Sequence, residues 1–166
     1  MRLPWPATFA VTVPTTGPDD TSIQVQREFG APPARVWRAM TEPEHLRRWL
    51  GNPGFPLTTC EMDVRVGGRY RWVFGTPGGN GSMGVSGTFD EVAAPSRLVS
   101  TEKFDDFPGP SVNTLVLSPL GDDRTSMLLT VRYPDREIRD AWVASGMTEG
   151  LGQGYVRLDE VLSTDG

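Results

Sequence analysis

The chain has 166 residues, 22% of them charged and 37% hydrophobic, with a formal net charge of -5. These figures fit one domain of ordinary globular composition, and the acidic balance argues against a nucleic-acid partner. The single cysteine, Cys60, excludes an internal disulfide, and the single histidine, His45, leaves no ligand set for a His/Cys zinc site.

The opening "MRLPWPATFAVTVP" has one basic residue, and Pro4 and Pro6 interrupt its apolar run, so it does not read as a secretory signal. No later stretch has the length of a membrane span. The expectation is a cytoplasmic protein with no membrane insertion. Residues 1–21 are rich in Pro, Thr and Asp and read as an extension, tied down in part by Trp5 and Phe9. A single domain is expected over 22–164.

"SIQVQREF" alternates, with Ile23, Val25, Arg27 and Phe29 on one face of a strand. In "APPARVWRAM", Pro32 and Pro33 suit a helix start, and Val36, Trp37 and Met40 form its apolar stripe. A second short helix is predicted in "TEPEHLRRWL". Thr41 and Glu44 have capping-box spacing there, and Leu46, Trp49 and Leu50 face inward. After "GNPGF" the period becomes two. Cys60, Met62 and Val64 share a face, Gly67-Gly68 marks a hairpin, and Tyr70, Trp72 and Phe74 share the next face. A glycine-rich loop, "GTPGGNGS", leads to "MGVSGTFDEV", and "RLVSTEKF", "VNTLVLSP" and "TSMLLTVRY" supply three further strands. Pro134-Asp135 opens a helical C-terminus that breaks near Ser145-Gly146. Strands in hairpin succession, with helices gathered at the ends, predict an α+β fold built on an antiparallel sheet.

"GMTEGLGQGYVRLDEVL" carries glycine at 146, 150, 152 and 154, although glycine inside a helix costs roughly 0.5–1 kcal/mol relative to alanine. Numbered from Met147, Gly150, Leu151, Gly154, Leu158, Val161 and Leu162 fall on one helical face, which Gly146 extends and Gly152 leaves. The glycines therefore point where side chains ordinarily fill a core. Either the helix backbone presses on the sheet there, or space is left beneath it.

Several segments resemble one family: "REFGAPPARVWRAMTEPEHLRRWLG", "CEMDVRVGGRYRWV", "GTFDEVAAPSRLVSTE" and "DAWVASGMTEGLGQGYVRLDEVL". The chain is similar over about residues 22–163 to the bacterial branch related to the C-terminal domain of the activator of heat-shock-protein-90 ATPase. That branch belongs to the SRPBCC superfamily, with START domains, birch-pollen-allergen-like proteins and aromatic polyketide cyclases. The resemblance implies a helix-grip fold. A bent antiparallel sheet of about six to seven strands wraps a long C-terminal helix over a hydrophobic cavity, and two short helices follow the first strand. A tryptophan frequent in the family after the glycine at 150 is replaced here by Leu151-Gly152.

The candidate ligand-lining residues are Trp37, Trp49, Phe55, Tyr70, Trp72, Phe89, Phe104 and Tyr155, with Met147, Gly150, Leu151 and Gly154 from the helix. Core packing is the competing role for each aromatic. Arg27 and Glu102 lie on apolar strand faces and are candidate polar anchors, since a charge taken from water needs a partner. Glu61 and Asp63 share a face with Arg65 and read as solvated. "GNGSMG" fits a dinucleotide-binding spacing, but a strand follows where that site needs a helix. No catalytic residue, metal or cofactor is assigned. The leading reading is binding of a small hydrophobic or amphipathic molecule by a monomer or homodimer. Two alternatives stand beside it: a cyclase or isomerase acting on an aromatic or polyketide-like substrate, and a chaperone-activator-like interaction module.

Overall fold

The computed structural model describes residues 9–14, 17, 19–75 and 81–164. Trp5 and residues 76–80 of the glycine-rich loop lie outside the described residues. The elements run β1 (Phe9–Thr12), β2 (Ser22–Phe29), α1 (Pro33–Thr41), α2 (Pro43–Trp49), β3 (Gly51–Asn52) and β4 (Phe55–Met62). Then follow β5 (Arg69–Gly75), β6 (Ser82–Ala93), β7 (Arg97–Phe104), β8 (Ser111–Pro119), β9 (Thr125–Arg132), α3 (Arg136–Ala144) and α4 (Met147–Thr164). The α+β architecture is the expected one, with two short helices between the first long strand and the sheet's hairpins.

Among the described residues the sheet has nine strands in the order β1-β2-β9-β8-β7-β6-β5-β4-β3, more than the six or seven expected. The additions are short edges: β1 pairs antiparallel with β2, and the two-residue β3 pairs with β4. Every pairing is antiparallel. Register shifts between Leu57 and Thr59 and between Phe89 and Glu91 insert bulges, which bend their strands. Side chains alternate along each strand, so one sheet face collects Ile23, Val25, Phe29, Phe74, Val85, Leu115, Leu117 and Met127, all buried. Onto this face α4 lays Tyr155, Leu158, Val161 and Leu162, also buried.

Three local details depart from, or sharpen, the sequence reading. The Thr41–Glu44 capping box does not form. Thr41 closes α1, and its Oγ1 donates to the Trp37 carbonyl at 2.7 Å. Glu42 is the N-cap of α2 and makes no side-chain cap, because Pro43 supplies a preset φ and needs no N–H partner. The break before α4 is at Gly146, whose φ of 84° is the left-handed turn that ends α3. Arg139 of α3 is fully buried and donates to the carbonyls of Ser22, at 3.1 Å, and Pro14, at 2.5 Å, so α3 holds the segment that leads into β2. Among the described residues no helix is long and apolar enough to cross a membrane.

Candidate functional site

A cavity of about 550 Å³ lies between the sheet and the N-terminal half of α4. Volumes of this order hold small-molecule ligands. Of the fourteen residues singled out from the sequence, twelve line it: Trp49, Phe55, Tyr70, Trp72, Phe89, Glu102, Phe104, Met147, Gly150, Leu151, Gly154 and Tyr155. Trp37 and Arg27 are buried but take no part in the lining. Trp37 faces the core from α1. Arg27 forms an ion pair with Asp159 of α4, and its guanidinium lies 5.4 Å from the centre of the Phe29 ring.

The Arg27–Asp159 pair joins β2 to the C-terminal half of α4, between the buried Leu158 and Val161. Burial pushes the Asp159 carboxyl up, and the Arg27 charge opposes that shift. Arg27→Ala would leave the carboxyl without its partner. Because Asp159 remains one-third exposed, the expected loss is about 2 kcal/mol, below that of a fully enclosed pair. Urea unfolding of the variant measures the loss, and ligand affinity should stay at the wild-type level.

The helix glycines divide by what surrounds them. A Cβ on Gly150 would meet nothing within 4 Å, and Gly150 is exposed at the cavity rim with Gln153 and Asn52. A Cβ on Gly154 would reach ordinary contact with the Trp49 ring, at 3.8 Å. Gly152, off that face, admits the Phe9 ring of β1, which a Cβ would meet at 3.2 Å. Space therefore lies open at Gly150, while Gly152 serves close packing. Trp49 braces α2 against α4: its indole Nε1 donates to the Ala39 carbonyl at 2.8 Å, and its own carbonyl accepts from Arg157 Nε at 3.0 Å.

The cavity wall is mostly apolar; Asn52, Ser145, Gln153 and Arg157 also line it, and one hydrogen-bonded cluster lies on the sheet. Cross-strand register sets Tyr70 of β5 opposite Gly87 of β6, Gly87 opposite Glu102 of β7, and Glu102 opposite Ser111 of β8. A Cβ on Gly87 would overlap the Tyr70 ring, so the missing side chain lets Tyr70 lie across β6. The Tyr70 hydroxyl thereby reaches β7 and donates to Glu102 Oε1 at 3.2 Å. Asn113 Nδ2 donates to the same oxygen at 2.6 Å, and Ser111 Oγ orients that amide by donating to Asn113 Oδ1 at 3.0 Å. The rings of Trp72 and Phe89 flank Tyr70 at 4.8 and 5.0 Å between centres.

Glu102 is 9% exposed, and burial pushes its carboxyl up to about 7 against the two hydrogen bonds that favour the anion. Tyr70 and Tyr133 are held well above the usual phenol range, first by burial and then by the Glu102 charge. Among the described residues no cation pairs with Glu102. Among the described residues, Trp72 Nε1 is buried without a hydrogen-bond partner. Sequence reading missed Gly87, Ser111 and Asn113. A glycine inside an alternating strand was the available signal for Gly87.

Other candidates fall outside the cavity. Glu61 and Asp63 are exposed, and Asp63 pairs with Arg65 at 2.7 Å. β6 begins at Ser82, so a strand follows the "GNGSMG" spacing; Gly79 and Asn80 of that motif are outside the described residues. A more open groove of about 600 Å³ is lined by Glu61, Arg71, Thr101 and Lys103 of the opposite sheet face, and it shares Met62, Tyr70 and Glu102 with the cavity. His45 stands on α2 with Glu42, Nε2 to Oε1 3.3 Å, and Glu44, away from the cavity lining.

Residues 30–163 match the family described as activator of Hsp90 ATPase homolog 1-like protein. Among solved structures, a crystal structure of a protein from Rhodobacter sphaeroides is 33% identical, with a TM-score of 0.80 over 87% of this chain and 93% of that one. A solution structure of a protein from Arthrobacter aurescens is 28% identical, with a TM-score of 0.80 over 93% of this chain and 91% of that one. Protein Ms6760 from Mycobacterium smegmatis is similar in fold, at 23% identity and a TM-score of 0.82 over 95% of this chain and 97% of that one. No curated protein matches this chain.

Proposed function

The chain belongs to the activator of Hsp90 ATPase homolog 1-like family, and from that premise we propose that it binds a small hydrophobic or amphipathic molecule between its sheet and α4. The observation that carries this reading is the cavity of about 550 Å³, mostly apolar in its walls and open at a rim where Gly150 has no side chain. Burial of an apolar ligand against such walls supplies affinity, and the few polar groups supply orientation.

Native mass spectrometry after exposure to an extract of lipophilic metabolites tests the proposal. A discrete added mass, lost on denaturation, supports it; a folded protein that retains nothing counts against it. Gly150→Leu supplies the matched control. The position is helical and open, so the variant should fold with stability equal to wild type or up to about 1 kcal/mol higher. Its leucine should narrow the rim and weaken retention about tenfold or more, read by titration of the recovered ligand. If Gly150→Leu retains ligand as wild type does, the space beneath α4 is not the binding site.

One observation favours a second reading, an enzyme of the cyclase or isomerase kind. Glu102 and Tyr70 converge inside the cavity, and an acid held at about 7 is matched to proton transfer near neutral pH. Conversion of an extract component, abolished in Glu102→Gln while its binding persists, would select this reading. The interaction-module reading expects a contiguous apolar surface. Of the exposed large apolar side chains among the described residues, Phe9 lies over Gly152, one helical turn from Val156, while Val66 and Val112 stand on other segments.

A further inference from the structure

The Glu102 carboxylate is unevenly engaged. Tyr70 and Asn113 both donate to Oε1, and Oε2 has no hydrogen bond among the described residues. Among the described residues no cation pairs with it: Arg157, the basic residue of the cavity lining, donates to the Trp49 carbonyl, and Arg27 and Arg71 are paired with Asp159 and Asp105. Oε2 is not among the side-chain atoms closed off without a partner, so it stays open to an incoming donor, which a carboxylate oxygen in a mostly buried residue binds strongly. Glu102 lines the cavity, and its other oxygen is held by an amide that Ser111 has already oriented. Flat walls stand beside it: Tyr70, Trp72 and Phe89 on one side, and Tyr133, which feels the Glu102 charge, with its stacked neighbour Trp142 on the other.

We propose that Glu102 Oε2 is the recognition point of the cavity, and that it takes a hydroxyl or amino hydrogen carried by a ligand with an otherwise apolar, ring-containing body. The inference rests on the ligand-binding reading and deepens it. Carboxylate oxygens accept, so a donor on the ligand completes the site, whereas a carbonyl or ether oxygen would meet a like partial charge. Aromatic walls favour a flat body that can stack or lie edge-on. Burial of Glu102 divides it between its two forms near neutrality, and a donor selects the ionised one. An ammonium ligand does this more strongly than a hydroxyl, and the ring faces add a cation–π contribution.

The test compares naphthalene derivatives by tryptophan fluorescence titration and calorimetry at about pH 8.5, where a carboxyl held at about 7 is mostly ionised. The probes are 2-naphthol, 2-(aminomethyl)naphthalene, 2-methoxynaphthalene and 2-acetylnaphthalene. Wild type should bind a donor-bearing probe at least about tenfold more tightly than the methyl ether. A stronger amine than naphthol identifies an ammonium ligand, and the reverse order a hydroxyl one; both orders support the proposal. Glu102→Gln sharpens the test. Its amide oxygen can keep the Tyr70 and Asn113 bonds, which places an N–H₂ donor where Oε2 stood. The preference should then move at least about tenfold toward 2-acetylnaphthalene, and the amine should lose most. Equal affinities for all four probes in wild type, or no change of order in Glu102→Gln, would overturn the proposal while leaving the cavity as a binding site. Failure of every probe to bind folded wild type would remove both readings together.

Discussion

Gly87→Ala is expected to destabilise the protein by about 3 kcal/mol and to impair ligand binding, although it adds one methyl group. In an ordinary strand the same change is neutral or favourable, because glycine is the poorer strand residue. Here a Cβ would overlap the Tyr70 ring, which crosses β6 at this position. The ring cannot step aside cheaply, since Trp72 and Phe89 pack on it with centres 4.8 and 5.0 Å away. Tyr70 must therefore leave its place or push β6 outward. Either movement breaks its hydrogen bond to Glu102, which then keeps Asn113 as its remaining donor. Urea denaturation of Gly87→Ala, Tyr70→Ala and the double variant measures this. The double variant should be close to Tyr70→Ala alone, because the methyl group then has room, and the coupling should be about 2 kcal/mol or more. Additive losses would show that the crowding at 87 does not come from Tyr70.

The same cluster shows where sequence reading reaches its limit. Period two placed Tyr70, Trp72 and Phe74 on one face and Leu98, Glu102 and Phe104 on another, and the structure turns these faces toward one cavity. Helical spacing selected Gly150, Leu151 and Gly154, which meet the same space. These are local patterns, fixed by side-chain geometry within one element. Asn113 and Ser111 carried no comparable signal, because a polar residue on an alternating strand reads as solvated. Only the pairing of Ser100 with Asn113 and of Glu102 with Ser111 brings them beside the acid. Gly87 announced a close approach, but register alone names Tyr70 as what approaches. Arg27 was legible as a charge in need of a partner, yet that partner, Asp159, lies on the last helix. β1 was hidden for a different reason. Phe9, Val11 and Thr12 favour strands, but four residues before a Pro- and Gly-rich stretch are too few to stand alone, and β1 exists by extending the edge of β2.

Glu102→Gln is expected to stabilise the protein by about 3 kcal/mol above pH 8 and to change little below pH 4. The sign follows from the direction of the shift. Burial raises the folded-state carboxyl from 4.5 to about 7, so the native chain holds its proton more tightly than the unfolded chain does. Below the unfolded value both states are protonated, and Glu102 imposes no ionisation cost. As pH rises from about 4.5 to 7 the unfolded chain ionises first, and wild-type stability falls. Above 7 the native carboxyl ionises too, and the deficit levels off. Groups facing Glu102 shape the size of the effect: Tyr70 from β5, Ser100 within β7, Asn113 from β8, and Tyr133 beyond β9. Both tyrosines are raised well above the phenol range, so neither titrates in this window. Glutamine matches the shape of the protonated acid, accepts from Tyr70 and Asn113 through one oxygen, and never ionises. The difference between variant and wild type therefore isolates Glu102, while surface pairs such as Arg71–Asp105 cancel. Chemical denaturation of both proteins from about pH 4 to 9 measures that difference. A gap that opens between pH 5 and 7 and then holds steady confirms an acid kept out of water at the cavity floor. Parallel curves would mean that Glu102 reaches solvent, and the polar centre of the cavity would have to be sought elsewhere, first at the unpartnered indole of Trp72.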